Sequence, residues 1–201
     1  MKSIVLLASL IASSSLWAYG TGLSTAPMVK SKKYVSAELT GVTSTGGGVG
    51  LQARFTQQAT RNVVFDAGIG MSGGDYDNRL FVGADYLIFP DYQKQPRFSV
   101  KATLENAEEL DSRRNIVGLA PTVSKGFNFW GTEAYPFLAL PINLNLNTDS
   151  KNYETTIAAN LGILGQLPIQ GYEHLTYSVE GTIKLKDSLS GIFLSIGYPI
   201  D

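Results

Sequence analysis

RFSVKATLE, residues 97–105, puts Phe98, Val100, Ala102 and Leu104 on one side of an extended chain and Ser99, Lys101, Thr103 and Glu105 on the other. The alternation specifies a strand but not which side faces inward. In a soluble sheet the apolar row is buried and the charged row meets water. In a barrel that crosses a membrane the apolar row meets lipid and the charged row lines the interior. The choice between these two arrangements decides the fold.

The same alternation recurs along most of the chain. Residues 49–57 set Val49, Leu51, Ala53 and Phe55 against Gly50, Gln52, Arg54 and Thr56. Residues 63–72 set Val63, Phe65, Ala67, Ile69 and Met71 against Val64, Asp66, Gly68, Gly70 and Ser72. With further strands expected over 33–43, 80–88, 97–110, 115–126, 135–147, 153–166, 176–186 and 191–198, the chain reads as all-β, an antiparallel up-and-down barrel of about ten strands, with eight possible. Pro136 and Pro141 cannot donate ladder hydrogen bonds, so 135–147 is expected to carry bulges or to be shorter. Turn chemistry separates the strands: STGGG before Val49, ATRN at 59–62, SGGDYDN at 72–78 and Pro90.

Three features favour an inward polar face. Most segments are about 9–12 residues long, near the length a tilted strand needs to cross a bilayer. The polar rows hold Gln52, Arg54, Asp66, Asp85, Lys101, Glu105, Asn143, Asn145, Asn160, Glu180 and Lys184, interleaved with Gly50, Gly68, Gly70, Gly83 and Gly162. Long side chains inside a narrow barrel need such glycines opposite them, whereas a solvated face does not. Aromatic residues, among them Phe89, Tyr92, Phe98, Phe127, Trp130, Tyr172 and Tyr198, gather near one rim, as interfacial girdles do. The other rim has Tyr76 and Tyr153.

The chain starts MKSIVLLASLIASSSLWA, with Lys2, a short apolar stretch and a run of mostly small residues. This is the layout of a signal peptide over 1–18, with cleavage expected after Ala18 or Ser15, and the apolar stretch is too short to span a bilayer. Residues 19–32 then form an N-terminal periplasmic segment and 33–201 the barrel. Sixteen basic against seventeen acidic residues give a net charge of -1, which provides no footprint for nucleic acid. Cysteine is absent, so disulfides are unavailable to an exported chain.

An export signal, alternating strands of membrane length and a strand at the C-terminus make the chain resemble the small outer-membrane β-barrels of Gram-negative bacteria. Such proteins end in an assembly signal of a glycine, spaced apolar residues and a final aromatic. Here Gly191, Leu194 and Ile196 follow the spacing, while Tyr198 is followed by Pro199, Ile200 and Asp201. The resemblance implies a bacterial outer-membrane location, contact with its lipid and lipopolysaccharide, and insertion by the outer-membrane assembly machinery.

The expected lumen-lining set is Gln52, Arg54, Asp66, Asp85, Lys101, Glu105, Glu180 and Lys184. It serves either a narrow polar passage for small solutes or a closed network of paired charges, and about ten strands enclose little more space than side chains fill. EELDSRR, residues 108–114, is a possible surface site. Glu108, Glu109 and Asp111 have the chemistry for a divalent ion, and Arg113 and Arg114 for lipopolysaccharide phosphates, against the plainer reading of a solvated hairpin end. The sole histidine, His174, sits beside Glu173, but neighbours in an extended chain point to opposite faces. It is read as a rim residue, so no catalytic set, cofactor or metal is expected. The reading is of a structural envelope protein or narrow pore. Its alternatives are a secreted or periplasmic barrel holding a hydrophobic ligand and an outer-membrane lipid-modifying enzyme.

Overall fold

A computed structural model of the chain describes residues 21–28, 32–43, 48–72, 76–109, 112–129, 131–147 and 151–200. The signal peptide expected over 1–18 lies outside them. Twelve strand segments follow one another: β1 (Lys33–Val42), β2 (Gly48–Gln58), β3 (Val63–Ser72), β4 (Tyr76–Phe89), β5 (Arg97–Glu109), β6 (Ser112–Ser124), β7 (Phe127–Phe129), β8 (Thr132–Ala139), β9 (Ile142–Asn147), β10 (Tyr153–Gln166), β11 (Thr176–Lys186) and β12 (Gly191–Ile200). β7 continues β6 beyond a bend at Lys125 and Gly126, and both run against β8. β8 and β9 are two halves of one strand, since both pair with β6 on one side and β10 on the other.

The result is a closed antiparallel barrel of ten strands. Closure comes from the two chain-terminal strands: β1 pairs β12 from Lys33↔Ile200 to Val42↔Gly191, and β1 also pairs β2 along its length. No long ladder edge is left open, which removes the liability of an unpaired strand. One rim carries the start of β1, the links after β2, β4, β7 and β10, and the end of β12. The opposite rim carries the links after β1, β3, β5, β9 and β11.

Proline explains the irregular seventh strand. At Leu140 and Pro141 the ladder is interrupted, though the Leu140 amide still donates to the Pro121 carbonyl at 3.0 Å and the Ala158 amide to the Pro141 carbonyl at 3.0 Å. Pro136 remains within β8, where its carbonyl accepts from the Lys125 amide at 3.2 Å. Other strands run longer than their alternation indicates. β4 starts at Tyr76 instead of 80 and β6 at Ser112 instead of 115, inside the expected polar connection, while β5 ends at Glu109, one residue short of the expected 110, and Asp111 lies outside the described residues. Cross-strand pairing extends strands into polar sequence when the partner is in register, as in Glu108↔Arg113.

The opening stretch resolves the question of faces. Ser99, Lys101, Thr103 and Glu105 are buried, while Leu104 is 56 % exposed. The same holds around the barrel, with Leu51, Ile69, Val82, Leu119, Leu161 and Leu194 outside.

Candidate functional site

The lumen is filled by charge. Arg54 on β2 reaches both neighbouring strands, its Nε 2.8 Å from Glu38 of β1 and its Nη1 2.9 Å from Asp66 of β3. Lys101 of β5 also pairs with Asp66, which lies two strands away. That reach is possible because the intervening position on β4 is Gly83. A Cβ there would overlap the Asp66 carboxylate and press on the Lys101 stem at 3.0 Å. Gly68 plays the same part opposite Phe81, whose ring lies under the guanidinium groups of Arg54 (4.9 Å) and Arg79 (5.4 Å). Arg79 pairs with Glu105, and Arg97 pairs with Asp85 at 2.9 Å while Ser99 donates to the same carboxylate at 3.0 Å.

Of the expected lumen set, Gln52, Arg54, Asp66, Asp85, Lys101, Glu105 and Glu180 are buried. Lys184 is a correction. It shares a face with Ser178, Glu180 and Thr182, but it lies beyond the last rung between β11 and β12, Thr182↔Gly191, and is exposed at the rim. Parity assigns a face but not a depth. Glu38, Arg79 and Arg97 were missed as lumen residues, although each alternates with an outward neighbour in sequence, as Glu38 does with Leu39 and Arg79 with Leu80.

Residues 19–32 are the stretch expected as an N-terminal periplasmic segment. Within them Thr21 to Ala26 lies in the lumen, with a 3-10 turn over Gly22–Thr25. The Thr21 amide donates to both oxygens of Glu180 (2.9 and 3.1 Å), and its hydroxyl donates to Oε2 at 3.1 Å. The Thr21 carbonyl accepts from Lys101 Nζ at 2.8 Å and Arg54 Nη1 at 3.4 Å. Nearer the rim, the Thr25 carbonyl accepts from Ser124 Oγ at 2.8 Å and Arg97 Nη1 at 3.3 Å, and Ala26 packs with Phe137 and Leu164. Gly22 has φ +71°, and a Cβ on it would overlap the Arg54 guanidinium, so glycine is required on both counts. Polar groups of the barrel wall thus satisfy an inserted backbone that would otherwise be buried without partners.

The described side chains of the EELDSRR region do not converge on one centre. Arg113 lies 3.7 Å from Glu108 and donates to Asn78, whereas Arg114 turns toward Glu154 of β10 at 3.2 Å. Glu109 ends β5. Among the described residues no group of three or more histidine and acidic side chains is placed to hold a metal ion. His174 stacks with Tyr172 (6.5 Å) and meets Tyr198 edge-on (5.7 Å) at the rim where β1 starts. At the same rim Asp91, in the β4–β5 link, accepts from Lys125 and from the Gly126 amide at 2.7 Å. Burial acts against the Asp91 charge. The Lys125 hydrogen bond, the Gly126 amide and the Lys125 charge outweigh it and hold the carboxyl below its ordinary range.

No protein-family model matches the chain, and neither does any curated protein. Among solved structures it is similar to a barrel reported under de novo design of transmembrane beta-barrels, at 13 % identity, covering 87 % of this chain and 100 % of that one, with a TM-score of 0.43.

Proposed function

We propose that this chain is an integral β-barrel of a bacterial outer membrane, exported by its N-terminal leader, with a lumen closed at rest. It contributes structure to the envelope and carries out no reaction. The observation that carries this reading is the inversion of the faces: Arg54 and Lys101 are each only 1 % exposed, while Met71 is 71 % and Leu51 66 % exposed. Water would leave this apolar belt uncovered, and exposed patches beyond a few hundred Å² mark surfaces that meet something else. Lipid is the partner that covers all ten strands alike. Strands of ten to fourteen residues match the length needed to cross it.

Aromatic residues at one rim, including Phe89, Phe127, Tyr172 and Tyr198, fit the headgroup level. In this reading lipopolysaccharide and lipid are the contacts of the belt, and insertion depends on the outer-membrane assembly machinery. The interior disfavours a carrier of a hydrophobic ligand, because charged and hydroxylated side chains outnumber the buried rings of Phe81, Phe137 and Phe193 on the inner face. The test is to express the chain with its leader, isolate the outer membrane, and compare carbonate extraction with gel mobility before and after boiling. Retention together with a heat-dependent mobility shift is expected. Release as a soluble protein would overturn the proposal.

A further inference from the structure

Among the described residues the buried charges of the lumen do not balance. Its bases are Arg54, Arg79, Arg97 and Lys101, and its acids are Glu38, Asp66, Asp85, Glu105 and Glu180. Each base pairs with an acid of the wall: Arg54 with Glu38 and Asp66, Lys101 with Asp66, Arg79 with Glu105, and Arg97 with Asp85. Among the described residues Glu180 alone of these acids has no ion pair within 4.0 Å. Its donors are neutral: the amide and hydroxyl of Thr21, and Asn160 Nδ2 at 2.6 Å. The carboxylate left over by the wall is therefore the one that the inserted N-terminal segment covers.

The segment is fitted to its place. Three cationic side chains and a serine hold its carbonyls, Gly22 clears Arg54, and Ala26 seats on Phe137 and Leu164 near the rim. Two of its hydroxyls turn inward on its backbone, Ser24 Oγ donating to the Thr21 carbonyl at 3.1 Å and Thr25 Oγ1 to the Gly22 carbonyl at 3.2 Å. It brings no charge and forms no rung with any strand, so the ten-stranded ladder closes without it.

The inner wall of β11, β12, β1 and β2 presents buried polar atoms with no hydrogen-bond partner: Thr182 Oγ1, Ser195 Oγ, Thr40 Oγ1, Gln52 Oε1 and Thr56 Oγ1. Buried polar groups are normally satisfied, and water is the usual partner where protein supplies none. These groups lie on four adjacent strands of the wall that carries Glu180, with the buried ring of Phe193 between Glu180 and Thr40.

We propose that residues 21–26 are a plug that enters from the rim where β1 starts and closes a narrow passage for small cations, with Glu180 as the group that binds them. This rests on the membrane-barrel reading. Withdrawal of the plug removes both Thr21 donors from Glu180 and leaves one net negative charge in a low-dielectric tube, which concentrates cations over anions.

The experiment compares the full chain, a chain lacking residues 21–26, and that deletion combined with Glu180→Gln, each purified from membranes. Gel mobility before and after boiling reports whether the barrel has formed. Conductance in planar bilayers under a KCl gradient reports the passage. The full chain is expected to stay closed. The deletion is expected to conduct with K⁺ preferred to Cl⁻ by about tenfold, and the added Glu180→Gln to bring that ratio toward unity. Where the deletion gives no mobility shift, Gly22→Val in the intact chain replaces it, because the nearest atoms to a Cβ at that φ belong to the Arg54 side chain and not to strand backbone. Full-chain conductance equal to that of the unplugged variant overturns the plug, as does an unplugged barrel that stays closed. Selectivity unchanged by Glu180→Gln overturns the assignment of the cation site. Loss of the mobility shift in the full chain itself would instead count against the membrane barrel.

Discussion

Arg54 shows how much of this protein rests on single residues. Its guanidinium joins β1 to β3 and touches the plug, where Gly22 leaves room for it, while Gly83 and Gly68 clear its neighbours Asp66 and Phe81. Buried ion pairs are weak evidence of stability as long as they are intact, because desolvation offsets the Coulomb gain. Removing one partner is costly, at about 3–5 kcal/mol, since it leaves a buried charge uncompensated. Asp66→Ala strips Lys101 of its wall carboxylate and Arg54 of one of two. The expected loss is in that range, read from urea titrations of the refolded barrel in lipid vesicles. Gly83→Val should weaken the same Lys101–Asp66 pair from the opposite direction, by steric overlap, at about 1–3 kcal/mol in the same titration.

At the scale of the element, the outward rows behave as a surface made for hydrocarbon. Leu104 lies on β5 between the buried Thr103 and Glu105, so Leu104→Arg puts a guanidinium against lipid, with an expected cost of about 2–4 kcal/mol if the position is near the midplane. Leu104→Phe should be nearly neutral in the same assay, which separates a lipid face from a packed core, where the larger ring would be penalised.

The link between β4 and β5 is tied to the β6–β7 bend by Asp91, Lys125 and the Gly126 amide. The Asp91 carboxyl is held below its ordinary range in the fold, so the folded state binds fewer protons than the unfolded state. This contribution is present above the ordinary value of about 3.9 and is lost as pH falls through the lowered folded value. Hydrogen-exchange protection of the Gly126 amide should therefore persist at neutral pH and fall only in acid below that range. Loss of protection between pH 5 and 7 would contradict it.

For the whole molecule, closure by β1 and β12 makes the N- and C-terminal strands interdependent. Formation of the ladder must wait until the last residues are available, and truncation within β12 should abolish the heat-dependent mobility shift outright. The plug depends on that closure in turn, because its partners are spread over β2, β5, β6 and β11, which converge only in the finished barrel. Its seating should accordingly follow barrel formation. In the cysteine-free chain, Ser24→Cys offers a clean probe: it is expected to react with a water-soluble thiol reagent during refolding and to be protected afterwards.

Strand identity was legible without coordinates because the side-chain period of two is a local property, visible in Ser99, Lys101, Thr103 and Glu105 against their neighbours. The inward direction of the polar rows was legible too, from glycines such as Gly83 that only a crowded interior needs. Depth along the barrel was not. Lys184 carries the right parity at the wrong level, since the level depends on the rungs between β11 and β12, which no stretch of β11 encodes alone. The plug was invisible for the same reason. Thr21 and Gly22 have no periodicity, and their role exists only where four distant strands bring Glu180, Lys101, Arg54 and Ser124 around one short backbone. Alternation and turn chemistry determined, by themselves, a barrel with charge inside. Tertiary structure decided which charges meet, which one is left over, and what covers it, because those outcomes depend on register and closure across the whole sheet.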